Sequence, residues 1–214
     1  MLTLLHTSPV HVPVFDALRD QDHPGLELRH VVLPELLERA RRDGAAAVAP
    51  DVRRALRQAV ADGARAVLVT CSTLGGVAES GAGGDDAGVP VLRVDRPMAA
   101  AAVALGPRVV VLATLGSTLG PTCALVEDEA VRAGRPVAVR THVPDGAWSA
   151  FAAGDTARCA RLVADVADGI GDADVIVLAQ ASMAPAEQLV TTSVPVLSSP
   201  RRGLAAGAGA ALRR

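Results

Sequence analysis

One cysteine stands where a thiol can do chemistry. Cys71 follows the run Ala66-Val67-Leu68-Val69-Thr70 and precedes Ser72-Thr73-Leu74-Gly75-Gly76, which opens a turn or helix. Thiols at helix N-termini serve as bases or nucleophiles near neutral pH. The bland alternative is a small buried hydrophobe; the position at a strand end favours chemistry. Cys123, two residues after Pro121, and Cys159, between Arg158 and Arg161, read as packing or surface cysteines. His6 ends a strand beside Thr7 and Ser8 and reads either as a satisfied structural histidine or as the one histidine able to approach such a site. The histidines do not cluster: His11, His23, His30 and His142 lack metal-ligand spacing, so no metal is expected. Asp85-Asp86, inside the Gly-rich run 81–88, reads as a solvated turn.

Composition narrows the chemistry further. The chain has 214 residues, 50% hydrophobic and 21% charged, enough for one large core or two small lobes and too apolar for disorder. Its net charge of −2 gives no electrostatic footprint for nucleic acid or an anionic membrane. All 21 basic residues are Arg; Lys, Asn and Tyr are absent, a bias that fits a high-GC bacterial genome. A lysine Schiff base, a Walker lysine and Tyr acid–base catalysis are thereby excluded. Gly75-Gly76 and Gly116…Gly120 do not form a dinucleotide fingerprint, and no cofactor is expected. Three widely spaced cysteines fit no disulfide framework and suit a reduced cytoplasm. The N-terminus has no signal-peptide pattern, and the longest uncharged run, 109–126, is broken by Thr, Gly and Pro, so no membrane span is expected.

Hydrophobic period predicts the strands and helices around Cys71. Short β-branched and Leu runs alternate with Ala/Arg/Asp segments of helical period. Strands are predicted at Leu2–Leu5, Leu26–Val32, Ala66–Val69, Val89–Val94, Arg108–Ala113, Val137–Val143, Asp174–Leu178 and Val194–Leu197. Helical segments include Pro34–Arg42, Pro50–Asp62, Thr118–Ala133, Thr156–Gly169 and Gly203–Arg214. Continuous apolar strands suit parallel sheets covered on both faces, so the expected class is doubly wound α/β.

The chain also repeats. Val60-Ala61-Asp62-Gly63 with its strand and Cys71-Ser72-Thr73 is echoed by Val166-Ala167-Asp168-Gly169, its strand and Gln180-Ala181-Ser182. Val89-Pro90-Val91-Leu92 is echoed by Val194-Pro195-Val196-Leu197, and Leu4–Pro9 by Val111–Gly116. The matches run in order at offsets of about 105 to 109 residues, which argues for two pseudo-symmetric lobes. The expected division is 1–97 and 98–197, with 198–214 returning to the first lobe. Ligands of open α/β sheets bind beyond the carboxyl ends of the strands. The strand ends at His6–Pro9, Cys71–Thr73, Ala113–Thr118 and Gln180–Ser182 are therefore expected to line a cleft between the lobes. Helix N-termini there favour a carboxylate.

These residues resemble a known family. Val67-Leu68-Val69-Thr70-Cys71-Ser72-Thr73 is similar to the first active-site motif of the aspartate/glutamate racemase superfamily, and Ala113-Thr114-Leu115-Gly116-Ser117-Thr118 to its second-lobe strand end. The superfamily includes amino-acid and hydantoin racemases, maleate isomerase and arylmalonate decarboxylase, all cofactor-independent. The resemblance implies that Cys71 is the first-lobe thiol and that Thr7 or Ser8, Ser72, Thr73, Thr114, and Ser117 or Thr118 contact a substrate carboxylate. It breaks where the second thiol belongs. Leu178-Ala179-Gln180-Ala181-Ser182-Met183 puts Gln180 at that position. A racemase using two bases needs a proton donor on each face of the carbanion, which an amide cannot supply. Ser182 would need an activating partner.

The sequence therefore points to an isomerase or decarboxylase that acts on a small carboxylate with one thiol, Gln180 and Ser182 serving as contacts. Two rivals stand beside it. One is a carboxylate-binding protein that kept the cleft and lost the chemistry. The other is a cysteine hydrolase, which needs His6 within reach of Cys71. A homodimer stays open, since small two-lobe α/β enzymes commonly dimerise.

Overall fold

The apolar runs become central strands because both of their faces are covered. Val109–Leu112 and Val175–Leu178 are completely buried, as are Ala66–Val69. A computed structural model describes residues 1–79 and 88–213, so the expected Asp85-Asp86 turn lies outside the described residues.

The described chain groups into two compact units, Met1–Val94 with Pro200–Arg214, and Asp95–Ser199. The first carries strands β1 (Leu2–His6), β2 (Leu28–Val32), β3 (Ala66–Val69) and β4 (Val91–Arg93). Its helices are α1 (Val12–Asp22), α2 (Pro34–Asp43), α3 (Ala49–Ala61) and α4 (Ser72–Glu79). The second unit carries helix α5 (Arg96–Leu105), strand β5 (Arg108–Leu112), α6 (Gly116–Ala133), β6 (Ala138–His142), α7 (Ala147–Ala152), α8 (Thr156–Asp168), β7 (Val175–Leu178) and β8 (Val196–Ser198). Helix α9 (Pro200–Leu212) belongs to the first unit, where it packs on α1, β1 and β3.

Each unit holds one four-stranded parallel sheet. Their orders match, β2-β1-β3-β4 and β6-β5-β7-β8. In the first sheet, Leu5, Val67 and Val69 face Leu36, Val52, Leu56 and Leu74 of α2, α3 and α4. Alternate residues Leu2, Leu4, Ala66 and Leu68 face Phe15 of α1 and Leu204 and Ala211 of α9. In the second sheet, Val110, Leu112, Ile176 and Leu178 face α7 and α8, while Val109, Val111, Val175 and Val177 face α5 and α6. Both sheets are thus doubly wound and parallel, in the α/β class read from the sequence. All eight predicted strands form, with ends shifted by a few residues.

Helices α1, α5 and α7 fall outside the segments anticipated. Among the residues of α1, VPVFDALRDQD, Phe15 alone is buried, so its apolar period is weak. Helix α5 is nearly all small and apolar, which leaves no polar stripe to mark a period. The helix starts are better marked: α1, α2, α3 and α5 all have Pro in the first turn. Gly134 closes α6 at φ 63°, the left-handed conformation that glycine adopts without cost.

The repeat has a register. Beyond the paired strands, the Thr70 N–H donates to the Leu5 carbonyl at 3.0 Å, and the Ala179 N–H to the Leu112 carbonyl at 2.9 Å. Leu5 and Leu112 are therefore counterparts, as are Thr70 and Ala179. One residue further on, Gln180 is the counterpart of Cys71.

Helix α9 reaches its sheet through Gly203. A Cβ there would lie 2.4 Å from Val94 Cγ2 and 2.5 Å from the Val94 carbonyl oxygen, and the backbone cannot move aside. Alanine would gain about 1 kcal/mol of helix propensity, but overpacking costs about 1–3 kcal/mol. Gly203→Ala should therefore lower the melting temperature; a variant melting with or above the wild type would show that α9 does not pack this way.

Candidate active site

Cys71 sits where β3 becomes α4. Its carbonyl accepts the amides of Leu74 at 3.1 Å and Gly75 at 2.8 Å, so the chain turns into a helix at the thiol itself. The side chain is half-buried against the core face that holds Val67 and Val69. Ser72, buried, and Thr73, half-buried, form the first turn of α4; buried Thr7 and half-buried Ser8 follow β1. Arg93, buried at the end of β4, passes beside the same helix. A Cβ on Gly75 would come within 2.9 Å of Arg93 Cβ and 3.0 Å of its Nε, so only glycine admits the arginine there.

The other two thiols sit in packing environments. Burial pushes the Cys159 thiol up, and burial with the nearby Glu127 carboxylate pushes Cys123 up. Cys159 belongs to the core of the second unit.

In the second unit the counterpart of the thiol is held fixed. Gln180 Oε1 accepts the Thr114 N–H at 2.7 Å and the Thr114 hydroxyl at 2.9 Å. A backbone N–H can only donate, so the oxygen of the amide must face Thr114 and the NH2 must point elsewhere. Both donors of Thr114 are occupied by this clamp. Ser117 is exposed and Thr118 buried in the first turn of α6, and Ser182 is half-buried just beyond Gln180.

The histidines behave differently from their sequence spacing. His6, His11 and His30 come together: the His6 ring lies 5.1 Å from His30, stacked on it, and 6.2 Å from His11. His6 Nδ1 is 2.8 Å from Thr70 Oγ1 and Nε2 is 2.8 Å from His30 Nδ1. His30 Nε2 in turn lies 3.3 Å from Asp16 Oδ1. With both nitrogens engaged and 0% exposure, His6 is committed to this chain. Among the described residues, no group of three or more His, Cys, Asp or Glu side chains is arranged to hold a metal ion. Thr70, His30 and Asp16 carried no signal in the sequence, because their partners are distant along the chain. None of the described helices is long and apolar enough to cross a membrane.

The Asp/Glu/Hydantoin racemase family model matches residues 12–206. The chain belongs to the Asp/Glu/hydantoin racemase family. Several solved structures share the fold at low identity. The Picrophilus torridus aspartate racemase superposes with a TM-score of 0.73 at 16% identity, covering 100% of this chain and 94% of that one. Arylmalonate decarboxylase gives 0.63 at 21%, with 99% and 92% covered. Allantoin racemase from Klebsiella pneumoniae gives 0.62 at 18%, with 97% and 86% covered. Among curated proteins no sequence match is found. Membership of the racemase family makes this chain an enzyme of that family.

The buried histidine of this racemase-family chain makes its stability depend on pH. Burial first, then the charges of His30 and His11, lower the His6 imidazole from 6.5 to about 3. The unfolded chain binds its proton near 6.5 and the folded chain does not, so acidification favours unfolding. The melting temperature should fall as pH drops from about 6.5 towards about 3, and His6→Asn should flatten that fall. A wild-type melting temperature that stays constant through this window would contradict the assignment.

Proposed function

We propose that this protein is a cofactor-independent isomerase or decarboxylase that acts on a small carboxylate through Cys71 alone. The observation that carries the reading is the unequal pair in the repeat. Cys71 ends β3 in one unit, and its counterpart in the other is Gln180, clamped by Thr114. An amide takes no part in proton transfer near neutral pH, so chemistry with two thiols has no second partner at this position.

In the decarboxylase form of the reaction, the bond from the α-carbon to one carboxylate breaks and carbon dioxide leaves. The electron pair stays on the substrate as an enediolate. The Cys71 S–H delivers its proton to that carbon, and the thiolate regains a proton from water. In an isomerisation using the same single thiol, the thiolate adds to one carbon of a C=C bond, the π pair moves towards the carboxylate as an enediolate, and after rotation the C–S bond breaks and the double bond re-forms. Ser72, Thr73, Thr7 and Ser8, with the N–H groups opening α4, would stabilise the developing negative charge. The Gln180 NH2 is a donor with a fixed direction, suited to a substrate oxygen. Thr114 would act through Gln180, while Ser117, Thr118 and Ser182 would line the remaining contacts. Three free thiols suit a reduced, cytoplasmic setting.

Two rivals from the sequence gain nothing further. A cysteine hydrolase would need His6 free to take the thiol proton, and both His6 nitrogens are engaged elsewhere. A binding protein without chemistry draws on the same contacts and has no observation of its own in its favour.

The test is a panel of small carboxylic acids with an activated α-carbon, including malonates, maleate, amino acids and hydantoins, incubated in deuterated water. One class should turn over or incorporate a single deuterium, with one hand favoured in a chiral product. Cys71→Ser and Cys71→Ala should abolish this by about 10²-fold or more while melting like the wild type. Gln180→Ala should weaken substrate binding more than it slows bound substrate. Turnover that survives Cys71→Ala would reject the proposal.

A further inference from the structure

The histidine chain of the first unit can run in two directions. Thr70 Oγ1 lies 2.8 Å from His6 Nδ1 and 3.2 Å from the Leu5 carbonyl, but a hydroxyl has one proton to give. At the other end stands the Asp16 carboxylate, which only accepts. His30 Nε2 must therefore donate to it. In a neutral His30 ring, Nδ1 then accepts, so His6 Nε2 donates and His6 Nδ1 accepts the Thr70 hydroxyl. Every polar atom is satisfied and no ring is charged.

Adding one proton to His30 reverses the chain. His30 then donates from both nitrogens, to Asp16 and to His6 Nε2. The His6 proton must then sit on Nδ1, and Thr70 Oγ1 must accept it. The Thr70 proton turns to the Leu5 carbonyl, which is already within reach. The two states differ by that single proton, taken from solvent and held on His30 beside the partly exposed Asp16.

The fold does not require this chain. The counterparts of His6 and Thr70 in the second unit are Ala113 and Ala179. Leu4 pairs with His30 as Val111 pairs with Thr141, so the counterpart of His30 is a threonine. A sheet of the same order closes without any of the three. Among the described residues, the polar groups that face the chain are His11 from the turn before α1, Asp16 and its partner Arg19 from α1, His30 from β2 and Thr70 after β3. Phe15 supplies the apolar wall, 5.6 Å from the His6 ring.

We infer that Asp16, His30 and His6 are positioning residues for the Thr70–Cys71 strand end, joined in a hydrogen-bond chain that one proton reverses. Cys71 packs on the face that carries Val67 and Val69, whereas Thr70 bonds to His6, so the chain reaches the thiol through the backbone and not by contact. Its bearing on catalysis rests on the Cys71 reading above; the chain itself is read separately.

Nitrogen-15 NMR of the histidine rings tests the reversal directly, without a substrate. At neutral pH the His6 proton should sit on Nε2. Once acid doubly protonates His30, it should move to Nδ1. The rate of Cys71 alkylation should show an inflection at the same pH, and His30→Gln and Asp16→Asn should remove it while leaving the circular dichroism unchanged. A His6 ring that keeps one tautomer throughout, or is doubly protonated before His30, overturns the inference. So does an inflection that persists unchanged in folded His30→Gln. If the variants do not fold, the wild-type titration alone decides. Reversal seen alongside turnover that ignores Cys71 would leave the chain standing and reject the proposed function.

Discussion

The carbonyl of Cys71 accepts the amides of Leu74 and Gly75, and these two bonds fix where β3 stops and α4 starts. Much else depends on that turn. It puts a thiol at the end of a parallel strand, where open α/β sheets hold their ligands, and it opens the N–H groups of α4 beside the sulfur. Ser72 and Thr73 inherit their places from it. The turn is in turn supported by parallel pairing of β3 to β1 and β4 and by cores on both sheet faces. Gly75 is part of the same constraint, since any side chain there would meet Arg93.

The two sheets share an order and a register, yet their strand ends have diverged in chemistry. One ends in a thiol next to a threonine tied to three polar side chains in series. The other ends in an amide clamped by a threonine, next to alanines. Identical topology sets the positions, and the residues placed there decide what each end can do. The proposed proton transfer by a single thiol rests on this difference between a thiol at one strand end and a fixed amide at the other. The missing Lys and Tyr strengthen that reading, because neither is available to replace a second thiol.

Much of this was legible in the chain itself. Val109–Leu112 and Val175–Leu178 announce buried parallel strands because no polar residue interrupts them, and the echo of Ala66–Thr73 in Val175–Ser182 marks the repeat. Cys71 and Gln180 could be paired from that echo, and the backbone register aligns them in the same way. Tertiary hydrogen bonds were not legible. His6 meets Thr70 across 64 residues and His30 across 24, with no local pattern to link them. The Thr114 clamp on Gln180 spans 66 residues and likewise leaves no trace in spacing. Helix α5 escaped for a different reason, since a run of alanines has no polar face to reveal a period.

On the proposed function, Cys71, alone among the three thiols, meets a small carboxylate. Competitive alkylation of the folded protein, read by mass spectrometry, tests this. Cys71 should be modified before Cys123 and Cys159, and a small carboxylate such as malonate should slow its modification selectively. Labelling of Cys71 no faster than the two packed thiols, with no protection by any small carboxylate, would contradict the account.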